Sequence, residues 1–474
     1  MKKKIAERFG AVTIKENILE RRVPKSSWYQ GDGATLTTLL IIQIVTGVTM
    51  TLYYTNSADH AYDSVQYITN TLPMGWLVRA IHFWTAGIMV VVMVGHFFRH
   101  LILGGYKPPR EGTWTVGVFQ FFLVLTMSFS GYVLRWDERA VYAARVVLNM
   151  FSKVPFIGEE LVLLVQGAPH IGSLTLTRFH SVHIWIVPLL LVSLVAVHLY
   201  LVILHGITAK AEQKQAIETA GEQKKVYKQA AQSSERGEWF YPQANAKIGS
   251  MALAVFLLAF TIALVAGPPQ LYPEANLIRS SIPQEEWWFW WYSALIAQLP
   301  PAIAPIFYPA FPLTLFAGML LLPILDRGAN RGPRKRPVWV VAVGLGVLAL
   351  LWFSYLRVQS PWTGWPNSTP PPVPEKVVIS EKAEEGRLLF SRYGCNSCHA
   401  VASQGRRVGP DLARIEHRMS QKELRTFILK PPDDVSMPGY QGRISADDLE
   451  RVVEFVLVAQ TFSRRISQDE QKGQ

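Results

Sequence analysis

Residues 77–103 read LVRAIHFWTAGIMVVVMVGHFFRHLIL, an apolar run carrying two histidines, His82 and His96, 14 positions apart. A run of about 20 such residues crosses a bilayer. Imidazoles inside a membrane span are costly and point to function. A second apolar run, near 180–204, carries His183 and His198, 15 positions apart. At about 100° per residue, a spacing of 14 returns to nearly the same helix face, and one of 15 misses by about 60°. The rise in each case is roughly 21 Å. That is enough to stack two flat macrocycles across a membrane, so His82 with His183, and His96 with His198, read as axial pairs for two non-covalent b-type haems. Two glycine pairs repeat the pitch of 14: Gly33 with Gly47, and Gly117 with Gly131. A glycine lets a ring approach the backbone. Arg79 and Arg99 flank the histidine turns and suit haem propionates. The remaining histidines (His60, His100, His170, His180, His205 and His417) have no ladder partner and read as surface or loop residues, with His180 and His205 open to a part in proton movement.

Seven stretches in all are long and apolar enough to span: near 34–54, 77–103, 114–134, 180–204, 248–267, 303–325 and 337–356. The chain is 50% hydrophobic and 17% charged, where a soluble protein carries about a quarter charged residues. The net charge of +12 does not indicate nucleic acid, because the basic residues crowd beside the spans. They gather at Lys2–Lys4 with Arg21 and Arg22, at Arg99, Lys107 and Arg110, between Lys210 and Arg236, and from Arg327 to Arg336, whereas residues 52–78 hold no Lys or Arg. By the positive-inside rule the N-terminus lies in the cytoplasm, and an odd number of spans delivers the chain beyond residue 357 to the outer face of a bacterial cytoplasmic membrane. The basic start lacks an apolar stretch, so no cleavable leader is expected.

The two cysteines of the chain fall in one motif, Cys395-Asn-Ser-Cys398-His399. CxxCH is the pattern of c-type haem attachment, with thioethers from the cysteines and a proximal bond from His399. It leaves no cysteine for a disulfide or an iron–sulfur cluster. The distal ligand is expected at Met437 in Asp-Val-Ser-Met-Pro-Gly, since Met/His ligation raises the potential of a terminal carrier. The expected organisation is all-α: a four-helix di-haem domain over 1–205, a cytoplasmic linker over 206–246, a three-helix part over 247–357, a proline-rich linker over 358–379, and a small α-helical haem c domain over 380–474.

The stretches TLTTLLIIQIVTGVTMTLYY, SVQYITNTLPMGWLVRAIHFW, GYVLRWDE and TLTRFHSVH closely resemble cytochrome b of the quinol:cytochrome c (bc) complexes, in its b6 branch. Residues 238–357, with LLPILDRGANRGPRKRPV, resemble the subunit IV that accompanies cytochrome b6, and the C-terminal domain resembles class I cytochrome c, with Gly409-Pro410 placed to pack on His399. The resemblance implies a quinol oxidation site near the outer face, walled by Gly131, Tyr132, Trp136 and Asp137 and by the loop before the sixth span. There the family's Pro-Glu-Trp-Tyr stands as Glu285-Glu286-Trp287-Trp288, with Glu286 aligned to the proton-accepting carboxylate. Arg135 replaces the usual Pro. Gln30 stands where the b6 branch has a haem-binding cysteine, so a covalent third membrane haem is not expected, and a non-covalent one is left open. Ile203 stands where the family has a cytoplasmic-side Arg.

Two functions fit these residues. One is quinol oxidation with electron bifurcation and proton translocation, the chain acting with a Rieske iron–sulfur protein, a cytochrome c or similar acceptor, membrane lipid and a second copy in a homodimer. The other is a multi-haem conduit wiring the quinone pool to a separate redox enzyme without bifurcation.

Overall fold

The computed structural model describes residues 20–25, 28–206, 220–275, 286–300, 303–327 and 330–359. It also describes residues 370–371, 373–374, 377–402, 404–405, 409–415, 419–432, 435, 437 and 439–462. Lys2–Lys4, residues 207–219 of the expected cytoplasmic linker, the loop through Glu285, most of the proline-rich linker and His417 lie outside them.

Among the described residues seven helices are long and apolar enough to cross a membrane, one at each expected place. They and a shorter amphipathic helix are α1 (Asp32–Thr51), α2 (Gly75–Ile102), α3 (Glu111–Val133), the amphipathic α4 (Glu138–Ser152), α5 (Ser173–His205), α6 (Phe240–Ala266), α7 (Ala304–Leu325) and α8 (Pro337–Gln359). Their outward side chains stay apolar: Leu189, Val265, Leu325 and Val338 are each more than 70% exposed. In water such a surface is a liability, and in lipid it is the solvent-matched face. Three prolines, Pro309, Pro312 and Pro323, sit inside α7.

The chain divides into two compact units. The first takes the described residues up to Trp136, Leu148–Leu271 and Pro305–Val347. Within it α1 packs on α2, α3 on α5, and α6 on both α1 and α2. A short antiparallel pair, β1 (Arg22–Pro24) and β2 (Gly237–Trp239), joins the start of the chain to the approach of α6 in the register Arg22↔Trp239. Arg336 caps α2 by donating to the carbonyls of Leu101 and Ile102, both at 3.1 Å. It shares the Asp326 carboxylate with Lys107, at 2.8 and 2.7 Å. Lys107 and Arg336, members of two expected basic clusters, thus staple helix ends.

The second unit takes Asp137–Val147, Tyr272–Ala304 and the described residues from Leu348 onward. Its water-type part contains α9 (Glu381–Arg392), α10 (Gln421–Leu429) and α11 (Ala446–Ala459), with a two-residue ladder of β3 (Ala400–Val401) and β4 (Gln404–Gly405). Its core is Phe390, Val401, Leu424, Val452, Val453, Phe455 and Phe462, with Met437 packed against it.

Candidate functional site

The ladder histidines occupy two levels of the first unit. At one level His82 and His183 face each other with ring centroids 6.4 Å apart and planes at 70°. At the other stand His96 and His198, which line a cavity of about 430 Å³. Each ladder glycine backs one ladder histidine. A methyl group added at Gly33 would lie 3.8 Å from the His96 ring, at Gly47 3.3 Å from His82, at Gly117 3.4 Å from His198 and at Gly131 2.6 Å from His183. The glycines of α1 thus serve the histidines of α2, and those of α3 serve α5. Between the levels, Leu39, Met89, Val124 and Leu191, one from each helix, form an apolar floor. Each sits at or within about a residue of the midpoint of its own ladder interval.

The spacing of 15 in α5 has a local cause. Residues Val182–Ile186 form a π-helical turn, which takes up one extra residue. Pro188 follows one residue after Val187 and has no N–H to offer the preceding turn. The extra residue that would swing His198 off the His183 face is absorbed there.

Hydroxyls fix the first pair. Thr46 donates to the Ile42 carbonyl at 2.6 Å and meets His82 Nδ1 at 2.9 Å. Ser130 donates to the Met127 carbonyl at 3.2 Å and meets His183 Nδ1 at 3.1 Å. A hydroxyl whose proton is committed to a carbonyl accepts from the imidazole, so Nδ1 carries the hydrogen and Nε2 is left to bind iron. The second pair differs: His96 Nδ1 stands 3.1 Å from the carboxylate of Asp32. The described residues therefore fit two bis-histidine haems.

Both ladder arginines are engaged within the protein. Arg79 donates to Thr69 at 3.1 Å and to the Pro269 carbonyl at 2.8 Å. Arg99 grips Asp32 with two bonds of 2.7 Å, a partner that the one-dimensional pattern does not show. Two histidines read as surface residues are packed instead. His100 lies 4.5 Å from the His96 ring, and His180 stacks on Tyr54 at 5.6 Å with planes at 8°. Both sit on spanning helices whose faces turn toward neighbours, which explains the departure.

In the second unit, His399 Nδ1 meets the Pro410 carbonyl at 3.0 Å, so it donates and leaves Nε2 free. Burial holds this imidazole below its usual pKa, while the bond to Pro410 opposes the shift. A side chain at Gly409 would come within 2.6 Å of the ring. Cys395 and Cys398 form no disulfide and stand in the turn that precedes His399. Met437 lies partly buried against the same core. These residues fit a covalently held haem.

Tyr132 is buried, with the Arg135 guanidinium over its ring at 5.0 Å. Asp137 is fully buried, accepting from the Ala140 N–H at 2.9 Å and the Tyr272 N–H at 3.2 Å. Its carboxylate thus holds the start of α4 to the strand-like segment at Tyr272. Glu286 is buried just before the turn Trp287–Phe289. Glu138, which pattern reading passed over, is pushed up to about 7 by burial, with Arg443 opposing and Asp137 adding to the shift.

Paired histidines on two levels of a four-helix membrane bundle define a membrane cytochrome. The chain belongs to the cytochrome b/b6 family. Residues 20–207 match the profile described as Cytochrome b/b6/petB, and residues 381–456 match the profile described as Cytochrome C oxidase, cbb3-type, subunit III. Cytochrome b6 of Synechocystis sp. is 38% identical over 204 residues, covering 43% of this chain and 91% of that protein. Cytochrome b6 of Synechococcus elongatus is also 38% identical over 204 residues, covering 43% and 94%. A solved chain described as Hyperthermophilic respiratory Complex III matches with a TM-score of 0.64 at 26% identity, over 76% of this chain and 92% of that one. The protein is therefore a multi-pass electron-transport subunit that joins a cytochrome b related to that of bc-type oxidoreductases to a C-terminal cytochrome c domain. Those two domains imply b haems and a c haem.

Proposed function

We propose that this chain is the fused cytochrome b/c subunit of a quinol:cytochrome c oxidoreductase. It would oxidise quinol near the outer face of a bacterial cytoplasmic membrane and couple that to proton translocation. The observation that carries this is the two-level histidine ladder in one chain with CxxCH. When bound, the haems supply one-electron carriers: one held by His82 and His183 (outer), one by His96 and His198 (inner), and one by Cys395, Cys398, His399 and Met437. Quinol gives up two electrons and two protons, so one-electron carriers require the pair to divide. With no cysteine to spare, the first acceptor is a separate Rieske protein. Glu286 would take a proton from quinol, since oxidation needs a base beside the hydroxyl, and Tyr132 is the aromatic side chain that the bc likeness assigns to quinol. Asp137 holds α4 in place and would act there by position. The seven spans and their basic flanks support the orientation, and a homodimer follows from the bc likeness.

Membranes reduced with quinol, with and without the iron–sulfur partner, test the reading. Reduction of haem c should require the partner, and reduction that persists without it overturns the proposal. A non-bifurcating conduit is the second reading, favoured by the replacement of Pro and Tyr around Glu286-Trp287 and by Arg135. It calls for haem c reduction that is indifferent to inhibitors of the outer site.

A further inference from the structure

The two axial pairs have unlike backing, and the difference is electrical. His82 and His183 rest on the neutral hydroxyls of Thr46 and Ser130. His96 faces Asp32, a carboxylate 5% exposed at the first residue of α1. Its Oδ2 stands 3.1 Å from His96 Nδ1 and accepts from Arg99 Nε at 2.7 Å. Its Oδ1 accepts from Arg99 Nη2 at 2.7 Å and from the Gly33 N–H at 2.9 Å.

We propose that Asp32 is a positioning residue that acts through His96 to lower the reduction potential of the inner b haem, and that Arg99 sets how far. This rests on the reading of His96 and His198 as an axial pair. A carboxylate charge 3.1 Å from the ring of a ligand imidazole makes that ring a more basic donor to iron. A more basic ligand favours ferric over ferrous iron, because the ferric ion carries the larger charge. The step concerned is the gain of one electron by ferric haem to give ferrous haem. No bond forms or breaks, and the electron comes from the outer haem. Arg99 competes for both carboxylate oxygens and so weakens their pull on His96. The drop in potential between the two haems is then governed by a few atoms in the first turn of α1, and Asp32 narrows it.

The two partners should act with opposite signs, which packing alone does not produce. In redox titrations of the purified complex followed in the b-haem spectrum, Asp32→Asn should raise the inner midpoint. The expected shift is about tenfold in the ferric-to-ferrous ratio at fixed potential, or about 59 mV for a one-electron couple. Arg99→Gln should lower the inner midpoint by a smaller factor, roughly threefold. The outer b haem and haem c should keep their midpoints in both variants. If one variant loses the inner haem, the sign of the other decides. An unmoved inner midpoint, shifts of one sign, or loss of the inner haem from both variants would overturn the inference. A wild-type complex lacking b haem would instead strike down the ligand assignment on which it rests.

Discussion

The membrane bundle and the C-terminal domain solve the helix-end problem in opposite ways. Each of α9, α10 and α11 begins with a serine whose hydroxyl accepts from a backbone N–H three residues on: Ser380 from Ala383, Ser420 from Glu423 and Ser445 from Asp448. At α10 the Glu423 carboxylate in turn accepts from the Ser420 N–H at 2.7 Å, completing a capping box. The helices α1, α2 and α3 start at Gly31, Met74 and Arg110 with no side-chain cap. In water a small domain gains too little from burial to neglect its unpaired backbone groups. In lipid the cost of breaking internal hydrogen bonds already holds the long helices together. The haem sites follow suit. The bundle offers sites built from periodic positions on long helices, and the small domain relies on covalent attachment in a turn.

The largest test of this contrast is His399→Ala together with Cys398→Ala. The small domain should lose its covalent haem and its cooperative unfolding, while the b-haem spectrum of the bundle stays intact. Haem staining on a denaturing gel and a pyridine haemochrome assay would report both. A C-terminal domain that stayed folded without haem would break the contrast. His198→Ala comes next. The bundle should persist in the membrane with its b-haem content halved, and complete loss of b haem would show that the two levels are not independent sites divided by the Leu39, Met89, Val124 and Leu191 floor.

Much of this was legible in the sequence because a membrane helix writes its geometry as a period. Pitch alone carries His82 with His96, and Gly33 with Gly47, onto shared faces, and the seven spans follow from length and hydropathy. CxxCH is legible for another reason, since thioether chemistry fixes its spacing. What the sequence hid are pairings across helices. Asp32 with His96, Thr46 with His82 and Ser130 with His183 join residues far apart in the chain, and their one trace, a polar residue just before a ladder glycine, is readable only once each glycine is known to back a histidine. The π-turn at Val182–Ile186 left one trace, the odd spacing of 15, which signals that a straight helix would misplace His198. Asp137 resembles a site residue in sequence, and the N–H groups of Ala140 and Tyr272 from which its carboxylate accepts were not legible there.

Smaller effects sharpen the account of the ladder. Gly131→Ala places a methyl group 2.6 Å from the His183 ring, whereas Gly33→Ala leaves 3.8 Å at His96. The first should displace the ring and lower outer-haem occupancy severalfold, and the second should be tolerated, as read from haem-to-protein ratios. Equal tolerance would mean that the glycines serve helix packing alone. For Glu138, burial raises the carboxyl to about 7. A raised carboxyl contributes stability that is full below its ordinary value near 4.5 and is lost as pH rises through about 7. The melting temperature of the wild type should therefore fall between those values, and Glu138→Gln should flatten the profile. An unchanged slope in that variant would assign the pH dependence to another group.

The smallest effect returns to the helix ends. Ser420→Ala removes the hydroxyl half of the capping box at α10, leaving the backbone N–H of residue 420 to Glu423, and should cost about 1 kcal/mol, seen as a modest drop in the denaturant midpoint of the haem-loaded C-terminal domain. Gly31→Ala at the start of α1 is a poor control, because its methyl group would meet the Ile248 carbonyl oxygen at 2.5 Å. Arg110→Ala is no better, since Arg110 is buried and donates to the Gly206 carbonyl at 3.2 Å. Met74, half exposed or more at the start of α2 and without a side-chain cap, gives the matched comparison. Its backbone is left-handed with φ of 60°, so Met74→Gly should hold or slightly raise the stability of the bundle. A capping residue that mattered as little in the small domain as in the bundle would erase the distinction between a fold made in water and one made in lipid.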